Sequence, residues 1–472
     1  MTDSPEAPLM LSVSGARGIV GESMTPAVAA DYAAAFGSFV TQTTGGSHVT
    51  LCVGRDTRPS SEMLCGAAVA GLTASGCAVI DLGVVATPTV AVMITEHRAA
   101  GGLVVTGSHN PIEWNGLKCL KAHGIASARH DVDEITRRFK HRDFHRAEPR
   151  TPPAVTRDQR GHEMHVKKVL ANLDGKPIQR AKLNVVLDSV NGAGGVAGRM
   201  LLERLGCTLV HLNAEPTGRF AHGPEPVQEN VAELAQVTAA EGADCGFAQD
   251  PDADRLAIID ETGRFIGEEY TVVLAAKRMF DLHGGGPIVV NLSTSRMMDD
   301  LAARYPGATV IRTPVGEANV AGAMQQAGAM IGGEGNGGVI FPKVCFVRDS
   351  LSAMTLALSL LAAEGRPLSE IVAELPHYEM IKHRFDLKQL SGNDAAKEAV
   401  QRVTDHFAEA DINTADGVRV DFADGWVHLR PSNTEPIIRL IAEAKTGQRA
   451  GELLAEVALA ARLRSTPKSR HT

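Results

Sequence analysis

Apolar and polar positions along the chain fall into one arrangement that recurs three times. Each copy opens on a short run rich in β-branched residues, at 49–53, 184–187 and 288–292. A polar turn follows, then a helix-like segment and a second apolar run at 77–82, 208–212 and 309–311. After another intervening segment, a third run ends in a polar or glycine-rich loop: TGSHNP at 106–111, DPDADR at 250–255 and GEGNGG at 333–338. Alternating strand and helix patterns predict α/β units with largely parallel sheets. Ligand sites in such sheets gather beyond the carboxyl ends of strands. Three unusual loops in equivalent places therefore predict one site assembled from three domains.

The last hundred residues follow a different pattern. Runs at 418–422, 426–429 and 437–442, with a turn at 423–425, predict a small antiparallel sheet, closed by an amphipathic helix at 448–463. The basic, polar tail at 464–472 is expected to fray. Linkers are expected near 148–155, which is proline-rich, and near 375–382. The fold class is therefore three similar mixed α/β domains plus a C-terminal α+β domain, with boundaries at 1–155, 156–264, 265–378 and 379–472.

Length agrees, since 472 residues at roughly 100–200 per domain make three or four domains. The net charge of −8 argues against a non-specific nucleic-acid binder, which needs a basic face. Aromatics at 4% are too few for a series of base-stacking platforms. The longest apolar stretch, 351–363, is too short to span a bilayer of about 30 Å, so it predicts a buried helix and no membrane partner. Seven cysteines without a C-x-x-C pair fit reduced thiols, and the N-terminal residues lack the pattern of a signal peptide. The expected location is the cytoplasm.

Asp250, Asp252 and Asp254 can converge on one hard cation if the backbone curls around it, which suits Mg²⁺, or they can form a solvated acidic turn. The same spacing begins a calcium-binding EF-hand loop, and Glu261 falls at its twelfth position. However, Arg255 occupies the sixth, where that loop needs glycine, and 256–260 reads as a strand. Arg255 beside three carboxylates suits a phosphorylated ligand, whose charge the acids alone would repel.

Ser108 sits in a tight loop without the G-x-S-x-G elbow of acyl-transfer enzymes, while Thr106, His109, Asn110 and Lys118 are phosphate-compatible neighbours. A structural serine turn is the competing reading of that loop. Glu334 and Asn336 can bond vicinal sugar hydroxyls, and the glycines around them permit close backbone approach. RPSNTEP at 430–436 offers Arg430, Ser432, Asn433 and Thr434 in one turn, with Arg439 on the next strand. That group reads as a phosphate cradle or as an ordinary polar β-turn.

With these four loops in this order, the chain resembles the phosphohexomutase superfamily over essentially its whole length. SGARGIVG (14–21), GRDTRPS (54–60), DLGVVATPT (81–89), NGLK (115–118), PEPVQEN (224–230) and TPVGEANV (313–320) add to the resemblance. It implies four domains around a central cleft, with Ser108 as phosphoserine and Mg²⁺ between it and the three aspartates. Arg17 and Lys118 match positions close to the transferring phosphoryl group, and His109 is counted with them as catalytic. GEGNGG matches the sugar-binding loop and RPSNTEP the phosphate-binding loop. The implied reaction moves a phosphoryl group between the 1 and 6 positions of a hexose through a hexose bisphosphate, with a hinge at 375–382 opening and closing the fourth domain.

The sugar loop departs from the family pattern of Ser followed by Gly-His, since Asn336, Gly337 and Gly338 stand there. The family's loop histidine, a candidate proton carrier, is missing at Gly338, which leaves Lys118 or another group to move the proton. GGEGNGGVIFP (332–342), RDSL (348–351) and LPHYEMIK (375–382) most resemble divergent phosphoglucosamine mutases. Glucosamine phosphate is thus the expected substrate, mannose or glucose phosphates the alternative, and a monomer or homodimer the expected state.

Overall fold

In each of the three repeats a central strand lies between two parallel neighbours, and a fourth strand closes the unit antiparallel. In the first repeat Val49–Arg55 lies between Cys77–Val84 and Gly101–Val105, with Trp114–Lys121 antiparallel to the latter. The second places Asn184–Asp188 between Thr208–Leu212 and Cys245–Gln249, with Leu256–Asp260 antiparallel. The third places Pro287–Asn291 between Thr309–Thr313 and Ile331–Glu334, with Gly338–Ile340 antiparallel. This computed structural model describes residues 9–46, 49–148, 150–386, 395–432, 437–463 and 470–471.

The sheets are thus mixed. Parallel pairing needs a crossover of about a dozen residues or more. The connections at 106–113, 250–255 and 335–337 are shorter than that, so the chain doubles straight back. Each distinctive loop is this reversal, at the carboxyl end of its repeat's third strand.

The first sheet is widened by Met10–Ser12, Gly15–Ile19 and Ile125–Ala126, and by Val155–Arg157, which runs parallel to Cys77–Val84. It therefore extends two residues past the boundary expected at 155, because the edge of Cys77–Val84 offers backbone groups that those residues satisfy. The first three repeats are fused by one continuous apolar core, which joins Cys52 and Val90 to Leu187 and Phe247 and on to Val290 and Leu358. The apolar run of the sequence is the helix Ser350–Glu364, buried along almost its whole length. Asp349 caps it by accepting from the Leu351 and Ser352 N–H groups at 2.9 and 3.1 Å, and Gly365 ends it in the left-handed conformation.

The C-terminal sheet is antiparallel throughout, in the order Asp411–Asn413, Val418–Phe422, Gly425–Pro431, Ile437–Ala444, Glu379–Asp386 and Arg470–His471. Helices Ala395–His406 and Gly447–Ala460 cover its apolar side. Two expectations change here. Glu379–Asp386 is a sheet strand over all eight of its residues, so the connection from the third domain ends at Tyr378. Of the tail expected to fray, Arg470–His471 pairs with Ile381 and Lys382, because that strand otherwise leaves an open edge, while 464–469 and 472 lie outside the described residues.

Among the described residues no helix is long and apolar enough to cross a membrane. The cysteines are unpaired, and all are buried except the half-buried Cys207.

Candidate active site

Ser108 is 2% exposed and adopts φ +51°, a left-handed conformation that costs a non-glycine residue energy and persists only where its surroundings enforce it. The Ser108 N–H donates to Thr106 Oγ1 at 2.8 Å. The buried Arg58 guanidinium donates to the carbonyls of Ser108, Asn110 and Pro111, each at 2.6 Å. Asp56 balances that charge at 3.1 Å from Arg58 Nε and accepts from Thr106 Oγ1 at 2.7 Å. A Cβ on Gly107 would lie 2.8 Å from Arg58 Nε, so only glycine leaves room for this clamp.

The equivalent DPDADR turn curls through Ala253 at φ +52°. Its curl aims the N–H groups of Asp254 and Arg255 at Asp250 Oδ1, both at 3.0 Å. Asp250, Asp252 and Asp254 are wholly buried, and each offers a carboxylate oxygen within 4.8 Å of the others. Thr87 of the first domain donates to Asp252 Oδ2 at 2.5 Å. Lys118 Nζ donates to Asp252 Oδ2 at 2.6 Å and Asp254 Oδ2 at 2.9 Å.

The remaining oxygens, Asp252 Oδ1 and Asp254 Oδ1, are buried without a hydrogen-bond partner. Buried charge left this way is costly unless a cation completes it, so the donor set fits a hard, oxygen-binding divalent ion. Ser108 Oγ lies 3.5 Å from Asp250 Oδ2. Burial and the neighbouring Asp254 and Asp252 push the Asp250 carboxyl well above its ordinary range. Burial pushes Asp254 the same way, but Arg348, Lys118 and Arg255 outweigh it and hold its carboxyl low. Burial would also lower Lys118, yet Asp252 and Asp254 raise it, so its ammonium keeps its proton. Its two carboxylate partners thus favour the charged form of Lys118, which weighs against its carrying the reaction's proton.

His109 Nδ1 stands 3.4 Å from Ser108 Oγ. Burial, then Arg255 and Arg17, depress its imidazole well below the ordinary value, so it is neutral near pH 7. Arg17 Nη1 donates to Asn110 Oδ1 at 2.6 Å on the same loop. Arg255 Nη1 lies 3.4 Å from Glu225 Oε1, while its Nε is buried without a partner. Ser108, His109, Arg17, Lys118 and the three aspartates are therefore brought into one cluster.

In the third loop Gly337 takes the left-handed position, and its carbonyl accepts from the Leu256 N–H at 2.9 Å, joining the sugar-loop candidate to the metal-loop candidate. Glu334 is buried and accepts from Asn291 Nδ2 at 2.9 Å, the Gly316 N–H at 3.1 Å and Arg348 Nη1 at 2.9 Å. Asn336 Oδ1 is buried without a partner.

In the fourth domain Arg430 and Arg439 stand opposite each other on adjacent strands, and Arg384 is opposite Arg439 on the next. Like charges in one cross-strand row repel, which an anion would relieve. Asp416 partly offsets the row, accepting from Arg430 Nε at 2.9 Å and from the Val315 N–H of the third domain at 3.0 Å. The Ser432 N–H donates to the Ile437 carbonyl at 2.8 Å. Asn433 and Thr434 lie outside the described residues.

Sequence reasoning did not single out Asp56, Arg58, Thr87 and Arg348. Asp56, Arg58 and Thr87 stood inside segments quoted only for resemblance, and RDSL gave no sign that Arg348 turns inward. Their signal is a charge or hydroxyl buried far from its partner in sequence, which no local pattern carries.

Four segments match the described domains of one family, Phosphoglucomutase/phosphomannomutase: alpha/beta/alpha domain I at 10–146, domain II at 163–263, domain III at 267–378 and the C-terminal domain at 386–460. A "Phosphoglucomutase/phosphomannomutase" of Thermococcus kodakarensis is 39% identical over 93% of this chain and 95% of its own. A "Probable phosphoglucosamine mutase" of Methanopyrus kandleri is 37% identical over 93% and 95% respectively. A crystal structure of a phosphoglucomutase/phosphomannomutase family protein from Burkholderia thailandensis superposes with a TM-score of 0.83 at 26% identity, covering 98% of each chain. Built on that fold, with the Ser108 loop set against the aspartate turn, the chain belongs to the phosphoglucomutase/phosphomannomutase family of phosphohexomutases.

Proposed function

We propose that this phosphohexomutase interconverts glucosamine 6-phosphate and glucosamine 1-phosphate through a phosphorylated Ser108 and a hexosamine bisphosphate. The observation that carries the mechanism is Ser108 Oγ at 3.5 Å from Asp250 Oδ2, in a buried triad that still has unpartnered carboxylate oxygens. Relatives named probable phosphoglucosamine mutase, including those of Methanopyrus kandleri and Methanothermobacter thermautotrophicus, support the amino sugar.

Phosphoryl transfer is chiefly positioning and charge neutralisation. The Asp250, Asp252 and Asp254 carboxylates would hold Mg²⁺, which when bound would supply neutralisation of phosphoryl charge. Lys118 and Arg17 supply fixed positive charge, and the Arg58 clamp keeps Ser108 in its strained orientation. The sugar hydroxyl forms a new O–P bond as the bond from phosphorus to Ser108 Oγ breaks. His109, neutral and beside Ser108 Oγ, takes the hydroxyl proton. The bisphosphate then turns over, Ser108 recovers a phosphoryl group from the other end, and the proton returns to the departing oxygen.

Glu334 and Asn336 hold the sugar hydroxyls, while Arg430 and Arg439, together with Ser432, Asn433 and Thr434, hold the distal phosphate. Arg255, beside Glu225 and with its buried Nε free of a partner, meets the charge of the phosphorylated sugar.

The test is a panel of glucosamine, mannose and glucose 6-phosphates, each with its own bisphosphate, compared by kcat/KM. Glucosamine 6-phosphate is expected to lead by about tenfold or more, the scale of the net free energy of one hydrogen bond. A mannose or glucose phosphate in first place would overturn the amino-sugar assignment and favour the second reading, which the Thermococcus kodakarensis relative supports.

A further inference from the structure

Arg348 lies just ahead of the buried helix Ser350–Glu364, and its guanidinium spans three carboxylates from different elements. Nη2 donates to Asp254 Oδ2 at 2.7 Å, Nη1 to Glu334 Oε2 at 2.9 Å and Nε to Glu317 Oε2 at 3.1 Å. Its side chain is 11% exposed. One planar fork therefore joins a carboxylate of the triad directly to the acid of the sugar-loop candidate, a geometry that lysine cannot reproduce.

The neighbouring glycine belongs to the same arrangement. A Cβ built on Gly338 would lie 2.1 Å from Arg348 Cδ and 2.8 Å from its Cγ. Gly338 is not in the left-handed region, so its backbone alone does not require glycine. The Arg348 stem fills the volume that any side chain at 338 would need.

We propose that Arg348 is a positioning residue that sets the sugar-loop carboxylate and the metal triad against each other, and that Gly338 is glycine to admit it. The guanidinium holds Glu334 in place for the sugar while drawing on the Asp254 charge that the cation also uses. The two effects have opposite signs. Removing the charge loosens Glu334, which weakens sugar binding, and removes a competitor and a like charge from the triad, which strengthens cation binding. A purely structural role would weaken both.

The sugar half of the inference rests on the proposed role of Glu334, whereas the cation half needs no substrate. The full-length protein is titrated with Mn²⁺, followed by electron paramagnetic resonance, and KM is measured with the hexose phosphate it turns over best. Arg348→Gln is expected to raise KM by about tenfold, the scale of a lost charge-assisted hydrogen bond, and to lower the Mn²⁺ dissociation constant by about threefold or more. Arg348→Lys keeps one charge and is expected to leave Mn²⁺ binding near wild type while KM still rises.

Gly338→Ala is expected to raise KM in the wild-type background and to change it little beside Arg348→Ala, where the stem is gone. Weaker Mn²⁺ binding in Arg348→Gln, or an equal Gly338→Ala penalty in both backgrounds, overturns the proposal. An unchanged KM with tightened Mn²⁺ binding would overturn the Glu334 assignment alone. It would leave the roles of Ser108 and the aspartate triad untouched.

Discussion

Lys118 Nζ and Asp252 Oδ2 meet at 2.6 Å across the boundary between the first two domains. The lysine comes from the strand that follows the Ser108 loop, and the aspartate from the equivalent loop of the second repeat. Repeats that coincide in topology thus put a cation of one against an anion of the other beside Ser108. The ion pair carries two consequences, since Lys118 stays charged and its position depends on the second domain.

Lys118→Met is expected to lower kcat by about 100-fold or more, the scale of losing one preorganised charge from a developing anion. Steady-state kinetics across pH would check it. If Lys118 were instead the proton carrier, the variant would also lose a titrating limb of the pH profile, which this assignment does not expect.

Ser108→Ala should abolish turnover, because no hydroxyl remains to carry the phosphoryl group. Intact-mass analysis of wild type after incubation with hexose bisphosphate should show a phosphorylated species that is absent from the variant. A wild-type protein that never carries phosphate would end the assignment.

Asp252→Asn removes one negative ligand from the triad and the partner of Lys118 and Thr87. The Mg²⁺ concentration giving half-maximal rate should rise by about tenfold or more, the scale of losing a coordinating carboxylate. An unchanged metal titration would refute the site.

Arg58→Met strips the clamp from the Ser108 loop and leaves Asp56 buried without its cation. Breaking such a pair costs about 3–5 kcal/mol, enough to lower the unfolding midpoint in urea clearly. Turnover should also fall because the Ser108 carbonyl loses its donor. A midpoint within error of wild type would show that the loop holds its strained shape unaided.

Glu269 gives a pH dependence of known sign. Burial pushes its carboxyl up to about 8, against the pull of Lys382 and of the Ser295 N–H, which donates to it at 2.9 Å. The folded state then holds a proton that the unfolded chain has released, so stability falls as pH rises from about 4.5 to about 8 and is flat beyond both limits. Glu269→Gln keeps an acceptor for Ser295 and should remove that slope. Its gain over wild type should grow between pH 5 and pH 8, and thermal melts giving parallel curves would contradict the assignment.

Local pattern marked the elements well where packing agrees with it. The strands Thr208–Leu212 and Val418–Phe422 begin and end where the apolar runs do, and the buried helix extends its run by one residue at each end. Pattern failed where long-range pairing decides the outcome. Nothing in residues 155–157 or 470–471 reveals which open strand edge they will meet. The antiparallel closure of each repeat was hidden as well, because periodicity reports which face a residue takes and not the direction of its neighbour.

By itself the sequence determined the threefold repeat, the separate antiparallel domain and the chemical character of the four loops, since these depend on residue type and short spacing. Only the tertiary structure decided that Asp56 and Arg58 clamp Ser108, that Lys118 stays charged and that Arg348 bridges Asp254 to Glu334. These are buried charges, each with at least one partner 50 or more residues away. Their energetics come from exclusion of water by a shared core, a property of the assembled chain that no segment of it possesses.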